Sequence, residues 1–321
     1  MNDIYISKYE KIDAHSHILG KKADFVAMMD GLGYGKVANI SWSDFLEPPA
    51  LAAYEEALRE DTENYPGRFL FITSFNVTRF LEPSYVDDVI AKLEVDFSQR
   101  GAVAVKIWKD LGMMLKDTDD SFVYCDDERF RPIFDWIESK QIPVVMHIAD
   151  PLEAWEPLDP SKPNYGYYSQ HPDYHWYGKP GKPSHGEILA HRDNLVARHP
   201  GTKFVGAHLA SLEHDVKQVA TFLDTFPNAY VDTAARYPNL KMQPDDDVRE
   251  FIIKYQDRIL YGTDWEWTAP GPEVSQAQRE ERITNAINGM SRPFAYFEET
   301  LALPADVLRK FYYENAAGIY R

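Results

Sequence analysis

The stretch Lys11-Ile12-Asp13-Ala14-His15-Ser16-His17 reads as a β-strand that ends in two histidines spaced two apart. A strand alternates its side chains with period two, so His15 and His17 leave the backbone on one face and can grip one cation. Three more apolar runs end in the same manner: PVVMHIA carries His147, KFVGAHLA carries His208 and ILYGTDW carries Asp264. Ligand-type side chains so far apart in the chain meet only if their strands deliver their ends to one place. A closed parallel barrel does this, because every strand ends on the same rim.

Outward from this strand, apolar runs recur near 36–42, 69–75, 102–108, 142–148, 203–209, 229–235 and 258–264, which with 11–17 makes eight strands. Helical periodicity fills the intervals near 50–60, 85–97, 129–140, 215–226 and 248–255, and a last helix is expected over 305–320. The alternation predicts one (β/α)8 TIM barrel over 1–321 rather than two domains. Ser184 followed by Glu187 predicts a capping box at one helix start. The interval 149–184, dense in Pro, Tyr, Trp and His, is too long for an ordinary connection and is expected to form a lid-like insertion over the ligand rim. A second excursion through Trp265, Glu266, Trp267 and Pro270 is expected to border the same pocket.

Lys and Arg number 34 against 51 Asp and Glu, a net charge of −17. That charge repels polyanions and argues against nucleic acid or an anionic membrane, so the expected partner is a small molecule. A homo-oligomer is compatible with the composition. No window approaches the roughly 18 consecutive apolar residues that span a bilayer, and MNDIYISKYEK has no basic or apolar leader character, so a cytoplasmic location is expected. The single cysteine, Cys125, excludes an intrachain disulfide and a thiolate zinc cluster within one chain. Imidazole and carboxylate ligands without thiolate suit one divalent metal, zinc by default, with manganese, iron or nickel as alternatives.

In this order, His15-x-His17 on strand one, His147 after strand five, His208 after strand six and Asp264 after strand eight, the chain resembles the amidohydrolase superfamily. The resemblance is to its amidohydrolase-related (amidohydrolase 2) branch, covers essentially the whole chain and includes Asn315-Ala316 in the last helix. It implies a distorted (β/α)8 barrel in which His15, His17 and His147 bind the metal. Asp264 is then a ligand or close neighbour and a base toward metal-bound water, whose pKa coordination lowers toward about 7. His208 is implied to stand beside the metal as a polarising group or proton carrier.

Lys106 interrupts the apolar strand AVAVKIW, where an ammonium needs a partner. Either it pairs with Asp264, Asp150 or a substrate carboxylate, or it is carboxylated and bridges two metals, as in other branches of the superfamily. In the second case the site is binuclear and His208 is a ligand. Lys109 is expected beyond the strand and exposed. Arg236 can fork onto a substrate carboxylate, or bind the Asp232 side chain or a loop carbonyl, and Asp150 can orient a ligand, receive a substrate hydroxyl or cap a turn. Trp108, Trp176 and Trp265 are candidates for a pocket wall. The lid histidines His171, His175 and His185 are expected to be solvated, and His191, His199 and His214 to lie on or beside outer helices. Three functions follow: a metal-dependent hydrolase of an amide, ester or lactone in a carboxylate-bearing substrate, a decarboxylase or hydratase on the same scaffold, and a barrel that binds without turnover.

Overall fold

The computed structural model describes residues 5–19, 23–42, 48–268 and 274–321, so Pro270 lies outside the described residues. The strands are β1 (Lys11–Leu19), β2 (Tyr34–Ile40), β3 (Phe69–Ser74), β4 (Ala102–Ile107), β5 (Val144–Met146), β6 (Phe204–Gly206), β7 (Ala229–Asp232), β8 (Ile259–Leu260) and β9 (Trp265–Thr268). All pair in parallel, in the order β8-β7-β6-β5-β4-β3-β2-β1-β9. Helices occupy the connections, so the chain is the expected α/β barrel.

The ninth strand lies beyond the eighth apolar run, in the excursion that begins at Trp265. Ile259 and Leu260 pair with β7, the chain leaves the ladder over 261–264, and Trp265 then pairs with Ser16 of β1. Ala14 N–H donates to Tyr261 O at 2.9 Å and Asp264 N–H to His15 O at 2.8 Å, which closes the barrel through that interruption. β5 and β6 are three residues each, shorter than their apolar runs, because the chain turns out of the sheet before His147 and His208.

Ile12, Ala14, Ala38, Ile40, Ile72, Ala104, Val145, Val205 and Leu260 fill the barrel, with Ala316, Ile319 and Tyr320 of the last helix packed into the same cluster. The parity of Ile12 and Ala14 would put Ser16 inside and His15 and His17 outside. A register shift between Asp13 and Ser16 against β2 changes the parity, and both histidines face the barrel mouth.

Besides several short turns, two helices of ten residues or more among the described residues escape the periodicity, Ala23–Leu32 and Gln276–Ala295. The second is largely polar and buries only Ala286, Met290, Ser291, Pro293 and Phe294, so its apolar stripe is too sparse to read; Ser275 and Gln278 cap it reciprocally. At Ser184 only half of the expected box forms. Its hydroxyl accepts Glu187 N–H at 3.1 Å, but the Glu187 carboxylate accepts the Tyr124 hydroxyl at 2.7 Å instead of reaching back. The interval 149–184 carries two short helical turns, Leu152–Trp155 and Tyr165–Gln170. Among the described residues no helix is long and apolar enough to cross a membrane.

Candidate metal centre

Three of the four rim histidines are fixed through Nδ1 and turn Nε2 toward a common point. His15 Nδ1–H donates to Asp232 Oδ2 at 2.8 Å, His17 Nδ1–H to Ile40 O at 3.2 Å, and His208 Nδ1–H to Ala234 O at 2.9 Å. Such bonds select the tautomer that leaves Nε2 with its lone pair free. Asp264 Oδ1 lies 3.4 Å from His15 Nε2 and 3.6 Å from His17 Nε2. One ligand atom each of His15, His208 and Asp264 lie within 4.8 Å of one another. His147 brings its ring centre 4.4 Å from that of His208, and its Nε2 is buried without a hydrogen-bond partner. A buried imidazole nitrogen without a partner, beside free lone pairs and a carboxylate, is what a divalent cation would satisfy.

The backbone is strained to achieve this. Asp264 has φ +60°, and His208, Leu209, Ala210 and Ser211 all have φ between 57° and 59°. A left-handed residue costs about 1–2 kcal/mol for most side chains. The Ser211 hydroxyl, 2.9 Å from Ile148 O and 2.8 Å from Ala149 O, ties this left-handed turn to the end of β5. Gly206 permits it, because a Cβ there would stand 2.6 Å from the Ala210 Cβ.

Asp232, which sequence reasoning weighed only as a partner for Arg236, is the anchor of the site. Its second oxygen accepts His208 N–H at 2.8 Å and Ala234 N–H at 3.1 Å, so one buried carboxylate positions two of the rim histidines. Asp13 plays the same part for β1: it accepts His15 N–H at 3.1 Å and Thr263 N–H at 3.0 Å, which links the strand to the segment preceding Asp264. Both carboxylates end or sit within the apolar runs already singled out, so their position was a signal and their direction was not.

Lys106 is fully buried, with Nζ 3.3 Å from His15 Nε2 and 4.8 Å from the centre of the Trp108 ring. The ion pair weighed for it with Asp150 is taken by its neighbour: Lys109, expected to be exposed, is buried and donates to Asp150 Oδ1 at 2.5 Å. The cause is the chain turning inward after β4, which carries Lys109 under the lid. Arg236 is also buried: it donates to the loop carbonyl Ala235 O at 3.4 Å, as one alternative had it, and faces Glu213, Nε to Oε2 3.7 Å, rather than Asp232.

The rim opens into a cavity of about 330 Å³ lined by Trp42, Trp108, Lys109, His147, Asp150, Tyr168, Tyr174, His208, Arg236, Asp264 and Glu266. Strand alternation removes one expected member. On β9, Glu266 stands opposite His17 and lines the cavity, while Trp265 packs toward the helix Gln276–Ala295, where a Cβ at Gly289 would lie 2.4 Å from its ring. Trp176 is likewise outside this cavity, packed 5.4 Å from Trp155 by ring centres. Among the lid histidines, His185 is buried against Trp155, contrary to the expectation of solvation.

Burial holds all four histidines below the ordinary imidazole range. For His15 and His17 the Lys106 charge adds to burial, and His17 falls to about 3; for His147 the next cause is His208 and for His208 it is Arg236. The rings are therefore neutral at physiological pH, the form a metal requires. Burial raises Asp264 against the pull of Lys106 and Arg236, and lowers Lys106 against the pull of Asp232 and Asp264.

Residues 12–321 match the family model described as Amidohydrolase. No curated protein sequence matches the chain. Among solved structures, it is similar to 2,6-dihydroxybenzoate decarboxylase from Rhizobium, at 15% identity and TM-score 0.54 over 88% of this chain and 99% of that one. A dihydroxybenzoic acid decarboxylase from Polaromonas sp. JS666, with bound manganese and the inhibitor 2-nitroresorcinol, aligns at 15% identity and TM-score 0.54 over 94% and 99%. A Pseudomonas putida protein proposed to be a 2-pyrone-4,6-dicarboxylic acid hydrolase aligns at 14% and 0.53 over 98% of each chain. At such identities the likeness concerns the fold.

Proposed function

The chain belongs to the amidohydrolase family, and from that premise we propose that it is a metal-dependent hydrolase of an amide, ester or lactone in a small carboxylate-bearing substrate. The observation that carries this reading is Asp264, whose Oδ1 stands 3.4 and 3.6 Å from Nε2 of His15 and of His17, with a quarter of its side chain still open to the cavity. His15, His17, His147 and Asp264 would hold the metal, with His208 beside it. Bound there, a divalent metal supplies a Lewis acid and activated water near neutral pH.

The chain's own residues divide the remaining work. Asp264 accepts a proton on the cavity side and returns it to the leaving group. His208, neutral and held through Nδ1 by Ala234 O, keeps its Nε2 lone pair toward the cavity and takes up a proton there. Arg236 and the Lys109–Asp150 pair line the wall where a substrate carboxylate would sit. Trp42, Trp108, Tyr168 and Tyr174 exclude water from the reacting bond.

A second reading, loss of carbon dioxide from an aromatic acid, is favoured by those same cations and by the decarboxylases among the structural neighbours. Incubation with 2,6-dihydroxybenzoate and with 2-pyrone-4,6-dicarboxylate in oxygen-18 water separates the two. Hydrolysis is expected to place one heavy oxygen in the product carboxylate. Carbon dioxide release without label uptake would sink the hydrolytic reading in favour of the lyase. Turnover of neither compound, nor of a wider panel of esters, lactones and aryl acids with metal bound, would leave the binding barrel.

A further inference from the structure

A second cavity, of about 420 Å³, lies beside the first under the lid. The two share Lys109 and Tyr174, and Lys109 Nζ lies 4.9 Å from the centre of the Tyr174 ring. Lys116 and Lys182 add two more ammonium groups to its wall. Both rest on aromatic faces: Lys116 Nζ is 3.4 Å from the Phe122 ring centre, and Lys182 Nζ is 5.5 Å from that ring and 4.5 Å from Trp176.

These cations are poorly neutralised. Lys116 donates to Asp120 O at 2.6 Å and has the largely exposed Asp120 carboxylate at 3.8 Å; Lys182 makes no ion pair among the described residues. One carboxylate, Asp173, also lines the cavity. Lys182 titrates below its ordinary value through burial first and then the charge of Lys116. In a chain of net charge −17 the lysines lining this cavity outnumber its one lining carboxylate, and an anion placed between Lys116 and Lys182 relieves their repulsion. Met113, Met114, Phe122 and Trp176 offer an apolar floor for a flat ring.

We propose that this cavity is a capture site for a planar anionic small molecule, with an aromatic carboxylate as the fitting class, and that it passes its ligand to the catalytic cavity across the Lys109 and Tyr174 wall. The transfer rests on the carboxylate-bearing substrate proposed above; the capture itself does not. No covalent step is involved.

Fluorine NMR of the full chain, carrying its metal and labelled with 5-fluorotryptophan, tests this with benzoate as the probe. Trp176 reports the capture cavity and Trp108 the catalytic one, with Trp176→Phe and Trp108→Phe assigning the two signals. Benzoate is expected to shift the Trp176 signal saturably, and benzyl alcohol to leave it in place. Lys116→Glu with Lys182→Glu should weaken that response about tenfold or more and preserve the Trp108 response. Should the double variant fail to fold, Lys182→Gln alone is expected to weaken it about threefold, the scale of one exposed charge. A silent Trp176 signal, an equal shift with benzyl alcohol, or unchanged affinity in the variants overturns the proposal. A responsive Trp176 in a protein without turnover would instead fault the catalytic reading alone.

Discussion

Two lysines are fully buried at opposite ends of the same barrel, and they meet opposite surroundings. Lys11, at the start of β1, donates to Tyr9 O at 2.6 Å and Leu32 O at 3.0 Å, with the Phe294 ring centre 4.4 Å away. Lys106, at the end of β4, faces His15 Nε2 at 3.3 Å and a tryptophan ring. Burial lowers the pKa of both. The base of the barrel satisfies its cation with carbonyls and aromatic faces, which is how a structural lysine is tolerated. The rim sets its cation among neutral imidazoles and the carboxylates Asp232 and Asp264, and leaves His147 Nε2 without a hydrogen-bond partner. Unmet polar groups and left-handed backbone gather at the rim because the geometry serves a ligand rather than the fold alone.

The contrast predicts that rim substitutions remove function and spare stability, and that base substitutions do the reverse. Asp264→Asn should lower kcat by roughly 10²–10⁴-fold, the usual scale for a positioned acid or base, with the unfolding midpoint nearly unchanged. A variant that is equally active would remove Asp264 from the chemistry. Asp232→Asn puts an amide N–H2 where His15 Nδ1–H or His208 N–H needs an acceptor; metal affinity should fall by about 10–100-fold in a chelator-competition titration. Unaltered affinity there would mean that His15 needs no orientation by Asp232.

At the base, Lys11→Met strands two carbonyls and should cost about 1–3 kcal/mol in denaturant unfolding, with metal content unaffected. Loss of metal in that variant would break the division between the two ends. The same lysine also sets a pH dependence. Lys11 titrates near 8 in the folded chain against 10.5 when free, so the unfolded chain binds more protons between those values. Wild-type stability should therefore rise relative to Lys11→Met as pH goes from about 8 to 10.5, with its penalty fully present below 8. A difference that stays flat over that window would show that Lys11 is not held in the charged, desolvated state.

The strand ends that carry His15, His17, His147, His208 and Asp264 were legible because apolar runs with a ligand at the last position repeat along the chain. What was not legible depends on parity and on the path taken after each strand. The register shift in β1 leaves no mark in KIDAHSH, yet it alone brings Ile12 and His15 into one interior. After the break at 261–264, Glu266 rather than Trp265 faces the cavity, because the chain rejoins the sheet opposite Ser16. Asp150 was visible, but its partner Lys109 was assigned to solvent, since the inward turn after β4 is fixed by tertiary packing rather than by local propensity.

Metal-anomalous diffraction from crystals of the full chain tests the centre most directly. One peak per chain within bonding distance of the Nε2 atoms of His15 and His17, with ordinary lysine density at Lys106, is the expected result. No peak there, or metal held only by the surface group Asp135, Glu138 and His199, would contradict the assignment, and a pair of peaks bridged through a modified Lys106 would replace the single-metal centre with a binuclear one.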